Sequence, residues 1–212
     1  LMLLKLFNVG NFIVKGAQLN LSWLEPQGEA GDIYFYKMKE TLPRYFLVDQ
    51  IQTASASQIL KIISEKKFAP DHTALIEETI RFLPSPKNSG EVKLKHFSPG
   101  KWEFSLTLPM INSNPEKIAQ NFLVIGETYM PGWRAFVGDS ELKVFRTNYA
   151  FLGIPLFAGN YDLKLIYYPY QARIGLWVGI STIGFWFLLG IISGFRKLFV
   201  RSISGLKHSL VQ

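Results

Sequence analysis

Polar and apolar residues trade places at every second position over two stretches near the middle of the chain. Val92 and Leu94 alternate with Lys93 and Lys95, and Trp102, Phe104, Leu106 and Leu108 alternate with Lys101, Glu103, Ser105 and Thr107. A period of two sends successive side chains to opposite faces, so each stretch is a strand with one buried and one wet face. Pro99-Gly100 joins them as a hairpin. Strand-like runs recur at 122–127, Trp133–Val137, 141–145, 151–157 and 161–167, punctuated by Pro131-Gly132, Gly138-Asp139 and Gly159-Asn160. Short strands at this spacing predict an antiparallel β-sandwich over residues 91–170.

The first part of the chain predicts a mixed α/β region over residues 1–80. Asn11–Lys15, 32–38 and 45–49 are short, aromatic or β-branched, and bounded by Gly, Pro or polar residues, which makes them strands. Between 57 and 68, Ile59, Leu60, Ile62, Ile63 and Phe68 follow helical spacing after a Ser/Thr-rich lead and before Pro70. One amphipathic helix is expected there. A further strand is expected at 73–77, and the Pro/Ser/Gly composition of 83–90 predicts a linker.

Residues 174–195, opened by Ile174 and closed by Phe195, hold no ionisable side chain. At about 1.5 Å per residue that helix is roughly 33 Å long, enough to cross a hydrocarbon core of about 30 Å. A fully buried core helix is the alternative, but Arg173 before the run and Arg196, Lys197 and Arg201 after it suit two headgroup regions. The predicted fold is therefore mainly β, with a mixed α/β N-terminal part and one C-terminal transmembrane helix. Residues 196–212 hold four cations, counting Lys207, and no Asp or Glu, the signature of a cytoplasmic tail. Residues 1–173 are then expected to face out of a bacterial plasma membrane.

Composition sharpens this picture. Only 18% of the 212 residues are charged, against about 25% in ordinary soluble domains. The net charge of +7 falls to near balance once the four tail cations are set aside, so nothing points to a nucleic-acid partner. The tail cations fit anionic lipid headgroups. With no Cys, a disulfide scaffold is excluded. The opening Leu1-Met2-Leu3-Leu4-Lys5 lacks the basic and apolar regions of a signal peptide. The chain is expected to be the C-terminal piece of a longer membrane protein, whose earlier spans export it and become its partners.

Candidate chemistry is sparse. Glu77-Glu78 is an adjacent acidic pair whose side chains point to opposite faces and are expected in solvent. His72, His96 and His208 have no metal-ligand spacing, and no phosphate-loop, dinucleotide or nucleophile-elbow motif occurs. No catalytic, cofactor-binding or metal-binding residue is assigned. Trp102, Tyr129, Trp133, Tyr149 and Tyr161 offer an aromatic platform for a sugar ring, with Glu127, Arg146 and Asn148 supplying hydrogen bonds to hydroxyls. The same residues also make sense as core packing and loop pins, and both readings stand. Within the span, Gly175, Gly179, Gly190 and Gly194 share an arc of about 100° with Ser193, suiting close approach of another helix. Trp186 interrupts that groove.

The segment Glu127-Thr128-Tyr129-Met130-Pro131-Gly132-Trp133, then Arg146-Thr147-Asn148-Tyr149-Ala150-Phe151, Ala158-Gly159 and Tyr167-Tyr168-Pro169 before a terminal span, resembles the C-terminal end of YfhO-family bacterial multi-spanning membrane proteins. Leu6-Phe7-Asn8-Val9-Gly10-Asn11-Phe12-Ile13-Val14 and Pro43-Arg44-Tyr45-Phe46-Leu47-Val48 resemble that family's outward domain. The resemblance implies a GT-C-type glycosyltransferase, which passes a sugar from a lipid carrier to an extracytoplasmic acceptor such as a cell-surface polymer. Its catalytic acid is expected in an early outward loop outside this chain, so the chain alone is expected to be inactive. A single-span anchored module that binds a glycan or protein, and a purely structural domain, fit the same residues.

Overall fold

The computed structural model describes residues 1–65, 68–83, 90–109 and 121–209, with side chains as far as residue 192. Most of the expected 83–90 linker, the surroundings of Gly194, and the side chains of Phe195 and the tail cations lie outside what is described. Leu1–Tyr168 and Pro169–Gln212 are separate compact units.

The first unit opens with helix α1 (Met2–Leu6) and an antiparallel sheet of β1 (Asn11–Lys15), β2 (Leu24–Ala30) and β3 (Ile33–Met38), with β3 in the middle. Strands β4 (Tyr45–Val48) and β5 (Gln50–Thr53), helix α2 (Ala56–Ser64) and β6 (Thr73–Ile76) follow. The second half contributes β7 (Glu91–Ser98), β8 (Lys101–Leu108), β9 (Asn121–Thr128), β10 (Trp133–Val137), β11 (Ser140–Leu142), β12 (Phe145–Thr147), β13 (Phe151–Leu156) and β14 (Gly159–Tyr167).

Two sheets make the sandwich. One has the order β11-β10-β14-β8-β7 and is antiparallel throughout. Its inward side chains, including Trp102, Phe104, Leu106, Ala135, Leu163 and Leu165, share a buried core with Leu123, Ile125, Leu152 and Ile154 of the other sheet. The mainly β fold with an antiparallel sandwich and a C-terminal helix is what the sequence predicts. The second sheet, β4-β9-β13-β12-β6-β5, adds something the sequence reading lacks: β5 and β6 run parallel. Parallel neighbours need a crossover, and α2 supplies it. Gln58 Oε1 accepts the Ser55 N–H at 3.0 Å at the start of α2, and Ile59 and Ile63 bury against Leu6, Phe68, Leu75 and Phe151. The helix ends at Ser64, short of the expected residue 68, because Glu65 is already extended.

Strand β9 is covered on both faces. Leu123 and Ile125 point into the sandwich, while Phe122 and Val124 pack with Val48, Ala74, Ile76 and Phe145. This explains why 122–125 is apolar at every position instead of alternating. The single strand expected at 141–145 is two strands in different sheets: Leu142 pairs with Ala135, and Phe145 with Gly153. Leu142 packs on the sandwich core and Phe145 on the second sheet's other cluster, and one straight strand cannot serve both.

In the second unit, helix α3 (Tyr170–Ser209) contains an apolar stretch, Tyr170–Ile192, of mean hydropathy 1.9 and long enough to cross a membrane. None of that stretch is buried within the protein, and Ile183, Trp186 and Phe187 are among its exposed side chains. A core helix would bury one face; this one is apolar and uncovered, as a lipid-facing helix must be.

Candidate functional site

Backbone bonds gather several loops at the end of the sandwich where β14 finishes. Tyr167 N–H donates to Gly100 O (2.8 Å), Tyr168 N–H to Gly132 O (2.7 Å), Tyr129 N–H to Ala150 O (2.7 Å) and Gly126 N–H to Arg44 O (2.7 Å). Gly132 has φ of 117°, and a Cβ there would lie 2.7 Å from Tyr168 O, so the close approach of these segments requires glycine.

The β12–β13 turn brings three of the candidate residues together. Asn148 and Tyr149 both adopt left-handed backbone, with φ of 49° and 76°. Asn148 holds this conformation by pairing with β6: its N–H donates to Leu75 O (2.8 Å) and its Oδ1 accepts the Leu75 N–H (2.9 Å). It is buried, and its Nδ2 has no hydrogen-bond partner among the described residues. Arg146 Nε donates to Tyr149 O (2.6 Å) and lies 3.4 Å from Glu77 Oε1, and the guanidinium sits 4.8 Å from the centre of the exposed Tyr149 ring. Glu77 and Glu78, expected in solvent, remain largely exposed but each meets a cation, Glu78 pairing with Lys143.

Glu127 belongs to a second group. Its carboxylate is 3.0 Å from Arg44, whose guanidinium lies 4.6 Å from the Trp102 ring centre and 4.9 Å from that of Phe97. The candidate-site reading did not single out Arg44; its partners are more than fifty residues away in sequence, so no local pattern marks it. Tyr129 and Trp133 are half-buried against the sandwich core, and the Trp133 ring is 5.3 Å from that of Tyr167. Trp102 is 1% exposed and Tyr161 is half-buried, so both are packing residues. The Tyr161 hydroxyl donates to Phe157 O (2.7 Å) and accepts the Phe157 N–H (3.1 Å), and burial pushes its pKa up to about 12. Gly175, Gly179 and Gly190 lie on α3, where an added Cβ would meet nothing within 4 Å.

Chemically, this end of the sandwich offers exposed aromatic faces, Tyr149 among them, and two guanidinium–carboxylate pairs, Arg44–Glu127 and Arg146–Glu77. Glu127 and Glu77 are each taken up in an ion pair with an arginine, an arrangement that suits binding and positioning. His72 lies 3.6 Å from Asp49 and 3.3 Å from Asp71, and the described residues contain no group of three or more His, Asp or Glu placed to hold a metal. A cleft of about 400 Å³ beside α1, lined by residues including Lys5, Glu40, Leu42, Phe68 and Asp71, contains none of the candidate residues.

No curated protein and no solved structure matches the chain. The profile of one family, described as bacterial membrane protein YfhO, matches residues 105–179, a little over a third of the chain. The matched stretch starts within β8, takes in the β12–β13 turn and runs into the apolar helix α3. Residues 105–179 are therefore a region of the YfhO family of bacterial membrane proteins.

Proposed function

We propose that the chain is the non-catalytic extracytoplasmic domain and last membrane helix of a larger protein, a glycosyltransferase that uses a lipid-linked sugar and acts on a cell-surface polymer. The observation that carries this reading is the unbroken YfhO match from β8 into a helix able to cross a membrane. The carboxylates around the β12–β13 turn support a binding or shaping role, since each is engaged by an arginine or lysine. The chain needs no cofactor of its own, and its partners are the upstream helices of the same protein and membrane lipids.

Two experiments test this. Because the chain has no Cys, Asp139→Cys and His208→Cys provide single reporters for a membrane-impermeant maleimide on intact cells. Labelling at 139 and protection at 208 is the expected result; the reverse pattern overturns the orientation. Deleting the full gene should remove a sugar from the surface polymer, with restoration by the full-length protein and not by this chain alone. The exposed Tyr149 ring beside Arg146 favours a second reading, that the turn itself binds a glycan. Tyr149→Ala should then abolish retention on polymer isolated from the cell surface; unchanged retention refutes it.

A further inference from the structure

The same end of the sandwich exposes apolar and aromatic side chains from four separate segments: Phe97 (43% exposed), Met130 (47%), Tyr149 (39%) and Tyr168 (45%). Among the described residues, the turns closing the other ends of β10 and β14, 138–140 and 157–160, add no exposed large hydrophobic side chain. The nearby cations are matched by anions: Arg44 by Glu127, Lys101 by Glu103 at 2.8 Å, and Arg146 by Glu77. This end thus exposes three rings and a thioether among ion-paired charges; Phe7, Ile13 and Phe35 in the N-terminal part are exposed as well, and what sets this end apart is that the chain leaves it for α3.

Chain continuity says what this end meets. Only Tyr168 and Pro169 separate the last residue of β14 from the first residue of α3 in the sequence. From Tyr167 to Tyr170 is three Cα steps, which reach at most about 11 Å, and the helix from Tyr170 to Ile174, where the run without ionisable side chains opens, adds about 6 Å. A headgroup layer is itself roughly 5–8 Å thick, so Tyr167 lies within about two to three such layers of the hydrocarbon and Tyr168 is one step nearer. Rings with an apolar body and a polar tip favour that layer, and so does tyrosine in particular. The covalent tether raises the effective concentration of the surface at the bilayer, so modest affinity per side chain is enough.

We infer that Phe97, Met130, Tyr149 and Tyr168 form a membrane-contact surface that seats this end of the sandwich in the lipid headgroup layer. This goes beyond the proposed function and is independent of any transferase activity or of which side of the membrane the sandwich occupies.

The test uses the full chain in phosphatidylethanolamine–phosphatidylglycerol vesicles. Met130→Cys and Tyr149→Cys, with Asp139→Cys as reference, carry an environment-sensitive fluorophore, and far-UV circular dichroism checks the β-signal of each. Nitroxide attached to lipid headgroups in both leaflets should quench positions 130 and 149 severalfold more than position 139. Iodide in the water should give the reverse order. Equal quenching by lipid at all three positions overturns the inference. Protection of 130 and 149 from both quenchers, lost when the protein is diluted among lipids, assigns the surface to a second copy and also overturns it.

Discussion

A methyl group added at Gly153 tests how tightly the two-faced sheet is packed. Gly153 lies in β13, between β9 and β12, opposite Val124 and Phe145. A Cβ there would fall well inside contact distance of Thr147 Oγ1 and the edge of the Phe122 ring, both fully buried. Neither neighbour has room to retreat, and strands on both sides hold the backbone in place. Overpacking a core typically costs 1–3 kcal/mol, so Gly153→Ala should lose about 3 kcal/mol. That is on the order of a hundredfold in the unfolding equilibrium. In mild detergent, urea unfolding of the sandwich followed by tryptophan fluorescence should show a lower midpoint with an unchanged slope. Gly10→Ala is the reference, since a Cβ there meets nothing within 4 Å, and it should be neutral or slightly stabilising. Phe122→Leu withdraws the ring, so the double variant should lose less than the sum of the two single losses. Costs additive within about 0.5 kcal/mol, or a Gly153→Ala variant as mild as Gly10→Ala, refute the packing argument.

Asn148→Ala should destabilise the sandwich by about 2–3 kcal/mol, because it leaves the Leu75 N–H without its acceptor and places Ala in left-handed backbone. Asn148→Gly keeps the first effect and removes the second, and a smaller loss in the same urea assay checks the separation. Tyr161 binds its proton more tightly folded than unfolded, so its contribution is complete below pH 10 and is lost as pH rises toward about 12. Alkaline unfolding of the native chain should show that loss, and Tyr161→Phe should lack it while being less stable at pH 7. Ile183→Arg places a charge in the middle of the apolar stretch, at about 2.5–3.5 kcal/mol for insertion, and carbonate extraction should release more of that variant from membranes.

Elements whose side chains face two different solvents were legible in the sequence. The β7–β8 hairpin and β10 appear where alternation and Pro-Gly punctuation put them, and α2 appears where Ile59 and Ile63 recur at helical spacing. Strand β2 was not legible: Leu-Glu-Pro-Gln-Gly-Glu-Ala has no apolar period, and its pairing with β3 slips between Pro26 and Gly28. Nor was β5, whose Gln-Ile-Gln-Thr is short and mostly polar and is a strand because β6 lies beside it. At the candidate site the unusual residues were visible and their partners were not. Asn148 stood out among the site candidates, yet what fixes it is Leu75, seventy-three residues earlier. Arg146 likewise meets Glu77, and Arg44 meets Trp102 and Glu127, across separations that no periodicity encodes.

The second sheet also dictates an order of events during synthesis. Phe46 and Val48 of β4 leave the ribosome long before their partners Val124 and Phe122, and Ile76 long before Thr147. At about 5–20 residues per second, those apolar strands wait several seconds for the chain that covers them. The later part cannot manage alone either: cut at residue 91, it would leave the β9 edge unpaired and one face of Phe122 and Val124 bare. A soluble fragment for crystallisation should therefore begin no later than β4, and the nascent protein is a natural client for a holding chaperone until β9 has emerged.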